Sequence, residues 1–118
     1  MGTNKAIVGL PEVNLGLLPG AGGTQRLPRL IGPSQALKMM LAGTPISAKK
    51  ALQQGVIDAI SENSLMDDAM AFLKEKIGLD AHPKVRDKNE KVIEARGDDN
   101  VLAEAKALAA TTRRGQLA

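Results

Sequence analysis

A chain of 118 residues has the length of one domain, and a hydrophobic content of 43% supports a packed core and excludes a disordered chain. The absence of cysteine excludes disulfides and thiolate metal sites. A single histidine, His82, argues against a His-rich metal centre, and a single aromatic residue, Phe72, leaves no stacking platform for single-stranded nucleic acid. The net charge of +3 is uneven: residues 1–57 set six Lys or Arg against Glu12 alone, whereas residues 58–118 carry ten basic and twelve acidic residues, a balance that suits a small anionic ligand better than a nucleic acid.

Lys5–Leu10 is an apolar, β-branched run that reads as a buried strand ended by Pro11. Residues 11–23 hold two prolines and four glycines and read as loop. Thr24–Ile31 predicts a turn or short helix, limited by Pro28 and stopped by Gly32. A second helix follows, with Ser34 near its start, Ala36, Leu37, Met40 and Leu41 as its apolar positions and Gly43 as its stop. The next is framed by Ser47 as N-cap and Gly55 just past its end. Val56–Ile60 reads as another short strand. Ser64 opens the most regular helix of the chain, with Leu65, Met66, Ala69, Met70, Leu73 and Ile77 at helical spacing, Asp67 and Asp68 near its start, and Lys74 and Lys76 near its end.

From Ala81 the chain is highly charged, consistent with a linker or with a helix over Asp87–Arg96 stopped by Gly97. Residues 100–114 predict a final amphipathic helix with Val101, Leu102, Ala105, Leu108 and Ala109 on one side. No apolar run approaches the roughly 20 residues that span a bilayer, and no secretory signal pattern opens the chain, so a cytoplasmic location is expected. Two short strands rarely make a stable sheet, so these either join another chain's sheet or belong to a larger domain.

The glycine cluster at Gly20, Gly22 and Gly23 invites a phosphate-loop reading. No Gly-Lys-Ser/Thr follows it, and Gln25 stands where G-x-G-x-x-G needs its last glycine, so neither nucleotide motif is complete. A turn into a helix, without ligand, accounts for the same glycines. Glu12 is more informative. A lone carboxylate among Leu, Val and Pro is costly to desolvate and suits general acid–base work; it would also serve simply to accept hydrogen bonds from loop N–H groups. The residues alone leave both readings open.

Taken together, Pro11-Glu12, the run Pro19-Gly20-x-Gly22-Gly23-Thr24-Gln25-Arg26, Gly43, Ile46-Ser47-Ala48, Ala51 and Gly55 closely resemble the enoyl-CoA hydratase (crotonase) superfamily over roughly residues 5–60. The charged segment and the final Arg-Arg-Gly-Gln-Leu-Ala more loosely resemble the linker of multifunctional fatty-acid oxidation enzymes. The resemblance implies an α/β crotonase-like (ClpP/crotonase) fragment, helix-dominated, with two short strands from a truncated spiral β-core. Residues 1–80 would be the C-terminal half of that domain and 81–118 a charged linker and helical segment.

In the family, two glutamates activate a water that adds across a 2-enoyl-CoA double bond, and two backbone N–H groups hold the thioester oxygen. The resemblance therefore implies catalytic roles for Glu12 and Gly20, and substrate or CoA contacts for Pro11, Leu17, Gly22 and Arg26. It further implies an acyl-CoA thioester partner, no separate cofactor, no metal and a homo-oligomer. One departure matters. The family's first glutamate and its oxyanion donors lie upstream, in and around a Gly-Gly-Gly-x-Glu segment, and only 11 residues precede Glu12 here. Three functions are expected to compete: a hydratase or isomerase half-site, a non-catalytic assembly module, and a CoA- or anion-binding module using Arg26, Arg29, Lys38 and the glycine loop.

Overall fold

Glycine, proline and serine punctuation divides the chain into short elements. The computed structural model describes residues 1–79 and 81–111. In chain order they are β1 (Gly2–Thr3), β2 (Ile7–Val8), a 3-10 turn (Pro11–Leu15), α1 (Gly23–Ile31), α2 (Pro33–Ala42), β3 (Ile46–Ser47) and α3 (Ala48–Gln54). There follow β4 (Ile60–Ser61), α4 (Leu65–Ile77), a 3-10 turn (Val85–Asp87), α5 (Glu90–Glu94) and α6 (Asp99–Thr111). Helices dominate, as expected. The basic residues Arg113 and Arg114 of the C-terminal motif lie outside the described residues.

The strands are shorter and more numerous than the sequence suggests. Of the Lys5–Leu10 run only Ile7–Val8 forms a ladder, antiparallel to β3, with Ile7 opposite Ser47 and Val8 opposite Ile46. A strand not anticipated, β1, pairs in parallel with β4, Gly2 opposite Ile60. The Val56–Ile60 run is mostly turn. Gly55, at φ 87°, closes α3 in the left-handed region, and the Val56 and Ile57 N–H groups both fold back to the Ala51 carbonyl at 2.8 and 3.4 Å. Only Ile60 is left to extend into β4.

Caps set the helix ends. Ser47 accepts a bond from the Lys50 N–H and Ser64 one from the Asp67 N–H, as their positions predict. In helix α2, Gly32 is the N-cap and Pro33 the first residue; Ser34 lies near the start, as expected, inside the first turn, and donates its hydroxyl to Glu104 at 3.1 Å. Pro28 does not end α1. The helix continues to Ile31, and the Gly32 N–H closes on the Pro28 carbonyl at 2.9 Å.

The core is one cluster between α1 and α2, made of Leu27, Ile31, Ala36, Met39 and Met40, with Leu10, Leu30, Ile46 and Val56 packed against it. The C-terminal elements close over it. Lys91 on α5 donates to the Leu30 carbonyl at 2.7 Å, and the Arg29 side chain reaches Asn89 at 3.3 Å. Helix α6 packs on α2 and buries Ala105 and Ala109; Leu102, expected on the same side, is exposed. Lys38 and Glu104 add a half-exposed ion pair at 3.5 Å, a minor contribution.

Helix α4 buries none of its apolar residues: Met66 and Ile77 are 72% and 66% exposed, and Leu65, Met70 and Leu73 are exposed as well. It is anchored at its base. Asp68 accepts the hydroxyl of Ser61, which is buried, at 2.6 Å, and the Asn63 N–H at 3.4 Å. Replacing the acceptor leaves a buried hydroxyl unpaired. We therefore expect Asp68→Ala to cost about 1–3 kcal/mol, read from the urea midpoint, with the loss of helicity centred on α4. No helix among the described residues is long and apolar enough to cross a membrane.

Candidate functional site

Pro11 fixes the first position of the 3-10 turn that leaves β2 and places Glu12 in its first turn. The turn is pinned to α2 from below. Val13 is buried, and the Asn14 side-chain amide donates to the Gly43 carbonyl at 3.1 Å. Gly43 stands directly under it at φ 61°, where a Cβ would meet Val13 Cγ1 at 2.6 Å. Only a glycine permits this approach. In the sequence Gly43 marks a helix stop and belongs to the family resemblance; its support of the segment that carries Glu12 shows only in three dimensions.

Glu12 is half-buried and its two carboxylate oxygens differ. Oε1 accepts the Gly20 N–H at 3.4 Å. Oε2 is shielded from solvent and has no hydrogen-bond partner among the described residues. The chain between them is a closed turn: the Gly16 N–H bonds the Val13 carbonyl and the Leu17 N–H the Glu12 carbonyl, both at 3.1 Å. One oxygen holds the glycine loop, and the other makes no hydrogen bond among the described residues.

Gly20 lies three residues ahead of α1, whose N-cap is Gly22, at φ 75°. Ala21 before it is also left-handed, at φ 50°, an uncommon conformation for a residue with a Cβ. The Gly23 N–H is spent on the Gly20 carbonyl at 2.9 Å, and the Arg26 guanidinium donates to the Ala21 carbonyl. Of the loop N–H groups, Gly20's is the one that meets the Glu12 carboxylate. Pro11, Leu17, Gly22 and Arg26 are all exposed. Leu17 and its neighbour Leu18 form an apolar lip beside the Glu12 turn. The structure brings Glu12 and Gly20 together directly, whereas Gly22 and Arg26 sit at the opening of α1. No group of His, Asp or Glu among the described residues is arranged to hold a metal ion.

A family model described as enoyl-CoA hydratase/isomerase matches residues 1–114. Solved structures share the backbone course. Against an enoyl-CoA hydratase of Mycobacterium marinum the identity is 30% and the TM-score 0.58, covering 91% of this chain and 43% of that one. For an enoyl-CoA hydratase of Bacillus anthracis the values are 31% and 0.59, covering 94% and 45%. For a carnitinyl-CoA dehydratase of Mycobacterium avium they are 30% and 0.58, covering 92% and 46%. The chain therefore spans less than half the length of each. Agreement over almost all of its own residues, in sequence and in backbone course, makes this chain a member of the enoyl-CoA hydratase/isomerase family with a crotonase-like fold, of which its 118 residues form a fragment.

Proposed function

We propose that this chain supplies the Glu12-bearing wall of an active site that hydrates or isomerises 2-enoyl-CoA thioesters. The observation that carries the reading is the asymmetry of the Glu12 carboxylate: one oxygen tethered to the Gly20 N–H, the other sheltered and unpartnered. A carboxyl group so held is positioned for proton transfer. In hydration the water oxygen bonds to C3 of the enoyl group, a proton is delivered to C2, and the thioester oxygen carries enolate charge in between. Glu12 would move one of these protons through Oε2, while Gly20 keeps the carboxylate oriented. Pro11 and Leu17 would face the acyl part of the substrate, and Gly22 and Arg26 the CoA part. Water addition is redox-neutral, so the reaction itself asks for no redox cofactor. In this reading residues 1–80 form the catalytic half and 81–118 a charged, helical arm.

Hydration also needs a second carboxyl group and donors for the thioester oxygen. The 11 residues ahead of Glu12 contain no Asp or Glu. Losing one oxyanion donor alone costs roughly 10²–10³-fold in rate. We therefore expect the 118-residue chain by itself to show no hydration of crotonyl-CoA above buffer, followed by the absorbance of the conjugated thioester. Turnover by the chain alone that disappears in Glu12→Gln would show that one wall suffices.

A second reading, a non-catalytic assembly module, is favoured by the exposed apolar residues of the 3-10 turn region and α4, among them Leu18 at 73% and Met66 at 72%. Apolar surface of this extent is seldom left uncovered. Light scattering is expected to find oligomers of the isolated chain, and a monodisperse monomer would count against this reading.

A further inference from the structure

Three consecutive carbonyls carry the chain from Gly20 into α1, and each has a partner. The Gly20 carbonyl accepts the Gly23 N–H at 2.9 Å, and the Gly22 carbonyl accepts the Gln25 and Arg26 N–H groups at 3.0 and 2.8 Å. Between them, the Ala21 carbonyl accepts from Nη1 of the Arg26 guanidinium. The first and third are backbone bonds, which no side-chain substitution deletes. The second hangs on one side chain.

That bond falls where the backbone is strained. Ala21 at φ 50° and Gly22 at φ 75° are both left-handed, and the Cβ of Ala21 makes this conformation costly. Such strain persists only where the surroundings hold it. Arg26 provides the hold. Its guanidinium lies against Gly22, where a Cβ would meet Nη1 at 2.9 Å and Cζ at 3.3 Å, so Gly22 leaves room for the side chain that bonds its neighbour. The helix dipole disfavours a cation near the start of α1, and the first turn holds no acidic residue to offset it. A charge-assisted bond to a carbonyl compensates. Gly20, whose N–H meets Glu12 Oε1 at 3.4 Å, directly precedes this pair. Release of Ala21 to right-handed backbone would redirect the chain at Gly20 and turn that N–H away from the carboxylate.

We propose that Arg26 is a positioning residue for Glu12, acting through the Ala21 carbonyl and the Gly20 N–H. Its effect on rate rests on the Glu12 reading above, and the task is separate from any contact Arg26 makes with substrate.

NMR of the 118-residue chain tests this by following the Gly20 amide as Glu12 ionises. An amide that donates to a carboxylate shifts with that ionisation, and loss of the shift in Glu12→Gln assigns it. Arg26→Gln is expected to reduce the shift by roughly half or more, with circular dichroism unchanged. Arg29→Gln, which removes a like charge one turn further along α1, is expected to leave it. A shift retained in Arg26→Gln, or reduced equally by Arg29→Gln, would overturn the inference. If Arg26→Gln fails to fold, the unmodified chain decides: a guanidinium held on the Ala21 carbonyl rotates slowly and shows separate Nη signals, and a freely rotating one would overturn the inference as well. Where the second wall of the site is supplied, Arg26→Gln is expected to lower kcat about tenfold, the scale of effect for a displaced acid–base group. A rise in KM alone would make Arg26 a substrate contact only and overturn the positioning role. Absence of hydration with the Arg26-dependent Gly20 shift present would count against the Glu12 reading and support the Arg26 linkage, so the two failures are read separately.

Discussion

Gly43→Val is expected to destabilise the chain by about 2–4 kcal/mol, the sum of left-handed strain at a β-branched residue and overpacking beneath the Glu12 turn. Gly43 has φ 61°, and a Cβ there would lie 2.6 Å from Val13 Cγ1 and 3.1 Å from the Asn14 amide nitrogen. The turn would have to lift, which breaks the Asn14 to Gly43 bond and exposes Val13, which is buried outside the α1–α2 cluster. The expected result is a lower urea midpoint with loss of the ordered turn. Gly20 provides the contrast. Nothing lies within 4 Å of a Cβ built there, and its φ is not left-handed, so Gly20→Ala is expected to change stability by less than about 1 kcal/mol. Equal destabilisation by the two substitutions would show that the close approach at Gly43 does not support the turn.

The second large effect is on rate. Glu12→Gln is expected to lower hydration of 2-enoyl-CoA by roughly 10²–10⁴-fold wherever the second wall of the site is present, the usual range for losing a positioned acid–base group. Stability is expected to move little. The amide keeps an oxygen that accepts the Gly20 N–H, and Oε2 gives up no hydrogen bond because it makes none among the described residues. A variant that loses stability along with activity would point to a structural carboxylate.

Much of this is legible in the sequence. Ser47, Gly55 and Ser64 declare their helix ends because capping is local chemistry: a side-chain oxygen or a missing Cβ acts within four residues. The family resemblance names Glu12 and Gly20 as site residues without pairing them, and the bond between them is what the structure adds. What was hidden depends on contacts distant in sequence. The β1 strand has only Gly2 and Thr3 to announce it, and it exists through pairing with Ile60 and Ser61. The apolar stripe of α4 predicts a buried face, yet it stays exposed, because periodicity reports which side wants cover and not what covers it. Arg86 could not be placed beside Arg26 and Arg29 from a charged segment that reads equally as linker or helix.

The most direct measurement of the central claim is crotonyl-CoA hydration by the 118-residue chain alone and by the chain co-expressed with the part of the Bacillus anthracis hydratase that it does not match, each with and without Glu12→Gln. The account predicts background rates for the chain alone, measurable hydration for the completed site, and loss of that hydration by roughly 10²-fold or more on Glu12→Gln. Hydration by the completed site that is indifferent to Glu12→Gln would contradict it.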